Sequence, residues 1–341
     1  MPVRKRRCRT LRQIPLIDIG ERSPVAILDM PEHRAGAERL IAAGRRMLTP
    51  PGLHMMEHFS RRWAERCTTP YLGEIRQACA AIPTGGWFMN MSYEWGCTTG
   101  VAVEPGGQGM RLLRTLDWPF HGMGREVVVA RHESPHGPWY NVTWPGYVGA
   151  MTVMAPGRFS AAINQAPLKR RNWHPLPADW VRNRVEVWNS TALPPAHLLR
   201  LACETCPDYA SAKSMLRDTE LALPVFMTLA GTGDGEGCVI ERLETTAFVH
   251  DAPAAVANHW LSVDVKGKSR GRDSAGRFDA MTGHCAIDAE GAAAMDWLKP
   301  PVLNPDTRLA VMANAATGRL AVLGLEKDGP ATGIFDLKDA A

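Results

Sequence analysis

Three features of this 341-residue chain predict an α+β fold in which antiparallel sheets stack with helices outside. Apolar residues recur at helical spacing through residues 35–81. After Gly96 the texture changes to short β-rich runs parted by turns. From Pro194 onward a helical stretch is again followed by hairpin patterns.

Taken in order, Leu40, Ile41, Met47 and Leu48 lie at turn spacing, and Met55, Met56, Phe59 and Trp63 resume the pattern beyond Pro50-Pro51, so the first ninety residues read as all-helical. Their basic amphipathic faces suit packing against the rest of the protein better than contact with a membrane surface or an acyl substrate. Strands are expected at 97–103, 112–116, 126–130, 148–154 and 159–163, with Pro105-Gly106-Gly107 and Pro156-Gly157 supplying the backbone freedom of tight reversals. Residues 194–229 return to helix, with Leu198, Leu199, Leu201, Ala202, Tyr209, Ala212, Met215 and Leu216 forming a stripe. Hairpins are expected at 238–249 and at 309–325, the second turning at Thr317-Gly318.

Bulk properties exclude several function classes. Forty-five per cent hydrophobic residues over this length bury a large core, and eleven Trp with sixteen Met suit a pocket for an oily group as well as an ordinary core. The net charge of +4 is mild and concentrated in Arg4, Lys5, Arg6, Arg7, Arg9 and Arg12, which read as a solvated tail. The apolar stretch behind it, 14–19, is short and broken by Pro15 and Asp18, unlike a secretory signal, so a cytoplasmic location is expected. No segment offers the roughly 20 apolar residues of a membrane span. Eight scattered cysteines read as reduced thiols.

Most local motifs carry little chemistry. The run 231–237 is Gly-rich but ends without Lys-Ser/Thr and holds Asp234 and Glu236, which would repel a phosphate. Cys203-Glu204-Thr205-Cys206 has the spacing of half a zinc or redox site and lies on an apolar helix. Lys266, Lys268, Arg270 and Arg272 lack interleaved aromatics, so nucleic acid is not expected as a partner; the loop is better suited to lending one Arg to a site.

Cys97 is different, because it follows Gly96 at the border of the helical and β-rich regions. If the Gly96–Cys97 bond were cut, Cys97 would carry an α-amino group of reference pKa about 7.7–8.0, a general base able to take the proton of its own thiol. The thiol could make that cut by attacking the carbonyl of Gly96, where the missing side chain permits a strained backbone. Downstream, an anionic Asp117 could hold the α-amino group while Arg114 favours the thiolate. On local grounds alone, Arg and Asp flanking a strand end are more often a structural ion pair.

Cys97-Thr98-Thr99 and Arg114-Thr115-Leu116-Asp117-Trp118-Pro119-Phe120 resemble the Cys-Thr-Ser and Arg-Asn-Leu/Met-Asp-Tyr/Phe signatures of the acid ceramidase and N-acylethanolamine acid amidase type, within the N-terminal-nucleophile (Ntn) cysteine hydrolases that also include the choloylglycine hydrolases. The likeness continues through Gly146-Tyr147-Val148-Gly149, residues 159–165, 221–231 and 237–242, and Ala257-Asn258-His259-Trp260. The Asn-His pair with Arg272-Asp273-Ser274-Ala275-Gly276-Arg277-Phe278 is similar to the isopenicillin-N acyltransferase branch.

The resemblance implies a four-layer αββα sandwich of two antiparallel sheets, the Ntn-hydrolase fold. Residues 1–96 would be a helical propeptide retained as a small subunit, and 97–341 the catalytic subunit. It implies Cys97 as nucleophile flanked by Arg114 and Asp117, oxyanion stabilisation by Asn164 and Asn258, and a distal Arg at Arg272, with Arg270 nearly as well placed. Trp118, Trp144 and Tyr147 are the candidates to bind substrate. The expected reaction is hydrolysis of a small N-acyl amide through a thioester, with no metal or cofactor. Transfer of the acyl group to an amine acceptor, an inactive scaffold protein, and an uncleaved Cys–His hydrolase with His259 as base are the alternatives.

Overall fold

The computed structural model describes residues 11–82, 84–171, 175–286 and 294–339. The basic run from Arg4 to Arg9 lies outside them. Arg12, its last member, is no free tail residue: its Nη1 donates to Glu126 Oε2 at 3.0 Å and to the Arg125 carbonyl at 2.9 Å.

The N-terminal region comprises β1 (Leu16–Gly20), α1 (Pro31–Leu48), α2 (Pro50–Arg66), α3 (Leu72–Ala81) and α4 (Gly86–Met91). Prolines open α1 and α2, where a missing N–H costs nothing, and Thr49 at φ 60° makes the break between them. This region is not all-helical, because Ile17 and Ile19 alternate with polar residues and are buried as an edge strand.

The next strands are β2 (Gly96–Val103), β3 (Met110–Asp117), β4 (Val128–His132), β5 (Trp139–Thr143), β6 (Thr152–Ala155), β7 (Phe159–Gln165) and the short β8 (Leu168–Lys169). Helices α5 (Leu176–Asn189), α6 (Pro195–Thr205) and α7 (Tyr209–Asp218) follow. Asp208 caps α7, its carboxylate accepting from Ser211 N at 2.8 Å. Then come β9 (Val225–Gly231), β10 (Gly237–Arg242), β11 (Ala247–Asp251), β12 (Ala254–Val256), the short β13 (Gly267–Lys268), α8 (Ser274–Ala286), β14 (Thr307–Asn314) and β15 (Arg319–Glu326). The expected helix at 194–229 therefore ends early. Val225–Gly231 is a strand buried on both faces, and such a strand shows the unbroken apolar run that also marks a buried helix.

One sheet runs β1-β4-β5-β6-β7-β9-β10-β11, and the other runs β12-β2-β3-β14-β15 with two short segments beyond. Among the described strands the pairs are antiparallel except β1 with β4, β1 being the strand contributed from before Gly96. The sheets stack through β2 and β3 on β7 and β9, α6 and α7 cover the outer face of the first sheet, and α8 covers β2 and β12 of the second. This is the αββα sandwich, and Cys97 is fully buried on the face of β2 turned to the other sheet, two residues before Thr99, which bonds Asn164 of β7. No described helix is long and apolar enough to cross a membrane.

Candidate active site

Strand parity places the site residues. Side chains alternate along β2 and β3, and the register pairs Gly96 with Asp117, Cys97 with Leu116 and Thr99 with Arg114. Cys97, Thr99 and Arg114 therefore face the opposite sheet, while Thr98 and Asp117 face α8. Residues 114 and 117 are an odd number apart, so they flank Cys97 from opposite faces of the sheet and cannot pair with each other as a local ion pair.

On the inner face, Arg114 Nη2 donates to Cys97 Sγ at 3.3 Å and to the Ile163 carbonyl at 3.3 Å, and its Nη1 donates to Thr152 Oγ1. Arg114 and Cys97 are both fully buried. Burial pushes the Cys97 thiol up to about 11, against the opposing pull of Arg114, so in the uncut chain the sulfur is held protonated. Thr99 Oγ1 donates to Asn164 Oδ1 at 2.5 Å, and Asn164 Nδ2 donates to the carbonyls of Val256 and Ala257 at 3.2 and 3.3 Å. Asn164 thus rests on Thr99, two residues beyond Cys97 on the same face of β2, with its side-chain nitrogen engaged by two carbonyls.

The backbone nitrogen of Cys97 donates to Asn258 Oδ1 at 2.8 Å. Asn258 is itself oriented by Nδ2 donating to the Gln165 carbonyl at 2.7 Å and by its N–H donating to Ser274 Oγ at 2.9 Å. In the uncut chain the Cys97 nitrogen thus rests on Asn258, and not on Asp117, the residue expected to hold the α-amino group once it is freed. Asp117 stands one link away, accepting from Thr307 Oγ1 at 2.8 Å and from Asn304 Nδ2 at 3.0 Å.

The arginine that the fold brings to the Cys97 backbone is Arg277, a residue the sequence reading did not single out. From the first turn of α8 its Nη1 donates to the Cys97 carbonyl at 2.5 Å and to Thr98 Oγ1 at 2.8 Å, and lies 3.5 Å from Asp117 Oδ2; its Nη2 donates to Asn258 Oδ1 at 3.0 Å. Arg272, the expected residue, is instead exposed and pairs with Asp306 at 2.6 Å. Arg270 pairs with Glu94. The signal that could have found Arg277 is the helix start: Asp273 Oδ1 accepts from Gly276 N at 3.0 Å as a cap, and Ser274, Arg277 and Met281 form the buried stripe. A buried Arg at a helix N-terminus opposes the helix dipole, so its place there needs another partner, which Asp117 supplies.

His259 does not reach the thiol; its Nδ1 pairs with Ser274 Oγ at 2.8 Å. The Gly-rich loop 231–237 is filled by Glu236, whose carboxylate accepts from Thr232 N and Gly233 N at 3.0 and 2.8 Å. Among the described residues, no cluster of three or more His, Cys, Asp or Glu could hold a metal.

Trp118, Trp144 and Tyr147 line one apolar cleft, together with Leu40 and Ile41 of α1 and Phe88 of α4. Trp95, two residues before Cys97, also lines it. Tyr147 Oη and Trp95 Nε1 are buried there without a hydrogen-bond partner among the described residues.

No protein-family model matches the chain. It is 28% identical over 180 residues to the N-acylethanolamine-hydrolyzing acid amidase of Oryctolagus cuniculus, covering 51% of this chain and 48% of that protein. It is 31% identical over 101 residues to the acid ceramidase of Homo sapiens, covering 29% of this chain and 24% of that protein. The chain thus spans about half the length of the amidases it matches, or less for acid ceramidase. Among solved structures, a Caenorhabditis elegans N-acylethanolamine-hydrolyzing acid amidase ortholog is similar at 17% identity and a TM-score of 0.48, over 70% of this chain and 99% of that one. By sequence the chain is similar to the acid amidases and acid ceramidases over part of their length, and its two stacked, mainly antiparallel sheets form an αββα sandwich.

Proposed function

We propose that this chain cuts its own Gly96–Cys97 bond and then hydrolyses a linear N-acyl amide, with Cys97 as nucleophile and base. One observation carries the reading: the nitrogen and the sulfur of one buried residue are each held by a separate partner, Asn258 at 2.8 Å and Arg114 at 3.3 Å.

In the first stage the Cys97 sulfur attacks the Gly96 carbonyl carbon, the peptide C–N bond breaks with its proton going to the departing nitrogen, and water hydrolyses the resulting thioester. Arg277, on the Cys97 carbonyl, and Asn258, on the Cys97 nitrogen, hold the backbone on the far side of the bond being cut. In the second stage the freed α-amine takes the thiol proton, and the thiolate, steadied by Arg114, attacks the substrate carbonyl. Asn258 Nδ2 keeps one hydrogen beyond the bond to Gln165 and is the available donor to the oxyanion. The α-ammonium then protonates the leaving amine, and water releases the acid.

The apolar cleft is the acyl site in this reading. Because α1 and α4 supply part of its wall and β1 extends the first sheet, residues 1–96 stay bound after scission as a small subunit. The test is release of amine from an N-acyl amide by purified protein and by its Cys97→Ala variant. Release by the parent only is expected, and equal release by both would overturn the assignment.

A further inference from the structure

Where α3 meets α6, a cluster of polar groups joins residues 1–96 to the rest of the molecule. Arg200 of α6 donates to the two carboxylate oxygens of Glu74 at 2.7 and 3.0 Å and to Glu204 at 2.7 Å, and its guanidinium lies 3.9 Å from the ring centre of Tyr71. Tyr71 Oη in turn donates to Glu204 Oε2 at 2.6 Å. Both carboxylates are thereby occupied.

Two histidines stand beside this cluster, each covered from the N-terminal side. His197 of α6 is fully buried, its Nδ1 2.9 Å from Thr69 Oγ1 and its ring edge-on to Tyr71 at 5.6 Å. His132 of β4 is almost fully buried, stacks on Trp139 at 4.0 Å, and stands opposite Gly20 where β1 pairs with β4. The Nε2 of each ring has no hydrogen-bond partner among the described residues. The ionisable groups around His197 are Tyr71 and Glu74 from α3 and its start, and Arg200 and Glu204 from α6. Around His132 they are Arg200 and Glu204 again, Glu21 and Arg22 after β1, and Glu133, which Arg131 holds. A second proton on either ring would sit in a buried place without an acceptor at Nε2. Burial, with Arg200 second, accordingly pushes both imidazoles down to about 3.

We infer that the contact holding residues 1–96 on the rest of the molecule is acid-labile, with His132 and His197 as the groups that weaken it. The inference rests on the proposed scission only in that a cut chain has two parts to separate. A histidine uncovered by loss of the N-terminal segment takes its proton near the ordinary value of about 6.5. The separated state therefore binds protons first as pH falls, so the contact is complete above that value and weakens down to about pH 3. At pH 5 the loss is about 30-fold in association constant for each ring and about 1000-fold for the two together. Ion pairs that cross the same boundary last to lower pH: at Glu126, burial is outweighed by Arg39 and Arg12, which hold the carboxyl below its usual range.

The test follows the dissociation constant of the N-terminal fragment in self-cleaved protein, by dilution and gel filtration at one fixed urea concentration, at pH 7.5 and at pH 5. The parent's constant should rise about 1000-fold between the two, and that of His197→Gln or His132→Phe, which replace one imidazole by a group that takes no proton, about 30-fold. The double variant should lose most of the rise, and either single variant decides if the other does not fold. A constant that stays level in the parent, or that rises equally in parent and variants, overturns the inference. If the chain does not cut itself, the scission reading falls and this one is still tested by the urea midpoint of the whole chain. That midpoint should drop from pH 7.5 to pH 5 by more in the parent than in the variants, and equal drops overturn it.

Discussion

Replacing Arg277 with Ala removes the cation facing Asp117 and leaves the Cys97 carbonyl, Thr98 Oγ1 and Asn258 Oδ1 each short of a donor, in a site where Arg277 and Asp117 are both almost fully buried. Removing one member of a buried, hydrogen-bonded ion pair costs about 3–5 kcal/mol. Burial already lifts the Asp117 carboxyl above its ordinary value and Arg277 is the foremost influence holding it down, so in the variant it rises further. A carboxyl raised in the folded state keeps its stability below its unfolded pKa and loses it as pH climbs through the folded value. The deficit of Arg277→Ala should therefore be smaller near pH 4 and grow toward neutrality. Urea unfolding at several pH values, on a Cys97→Ala background that keeps every chain whole, measures it. Arg272→Ala, which loses only an exposed pair with Asp306, should match its parent throughout. With Cys97 restored, Arg277→Ala should also slow self-scission and Arg272→Ala should not. Parental stability and scission in Arg277→Ala, with losses in Arg272→Ala, would refute the reasoning.

Further outcomes are expected at the same site. With its thiol pushed up to about 11, Cys97 in the uncut chain should react with iodoacetamide at pH 8 roughly 100-fold more slowly than an unperturbed thiol, and scission should release that block; equal labelling of cut and uncut protein by mass spectrometry would contradict the buried, protonated state. Gly96→Ala places its Cβ 3.1 Å from Gly271 Cα and 3.4 Å from Asp117 Cβ, so scission should slow on a gel time course; a parental rate would show that close approach to be unimportant. Trp118→Ala removes an aromatic wall that stacks edge-on with Phe120 at 4.7 Å, and should raise KM for an N-acyl amide several-fold with little change in kcat, whereas an unaltered KM would place the acyl group elsewhere.

How much of this was legible depends on the range of the interaction concerned. The glycine before Cys97 marks the turn from one texture to the other, so local pattern was enough to single out that thiol, while Arg114 and Asp117 on the next strand needed the family resemblance as well. Trp118, Trp144 and Tyr147 share a cleft to which α1 and α4 add wall residues from far earlier in the chain, Leu40 and Ile41 among them, a convergence that no local window contains. Arg277 was passed over because Arg270 and Arg272 offered the same side chain at a plausible spacing; only the start of α8 separates a guanidinium turned to the core from two turned to surface carboxylates. Asn258 was found, but which of its atoms faces Cys97 depends on Gln165 and Ser274 in other elements.

The central claim is that Cys97 becomes an N-terminal residue, and the intact mass of the purified protein tests it most directly. The account predicts two fragments, one ending at Gly96 and one beginning at Cys97, and a single whole chain for Cys97→Ala. A stable uncut chain that nevertheless hydrolyses an N-acyl amide would contradict it.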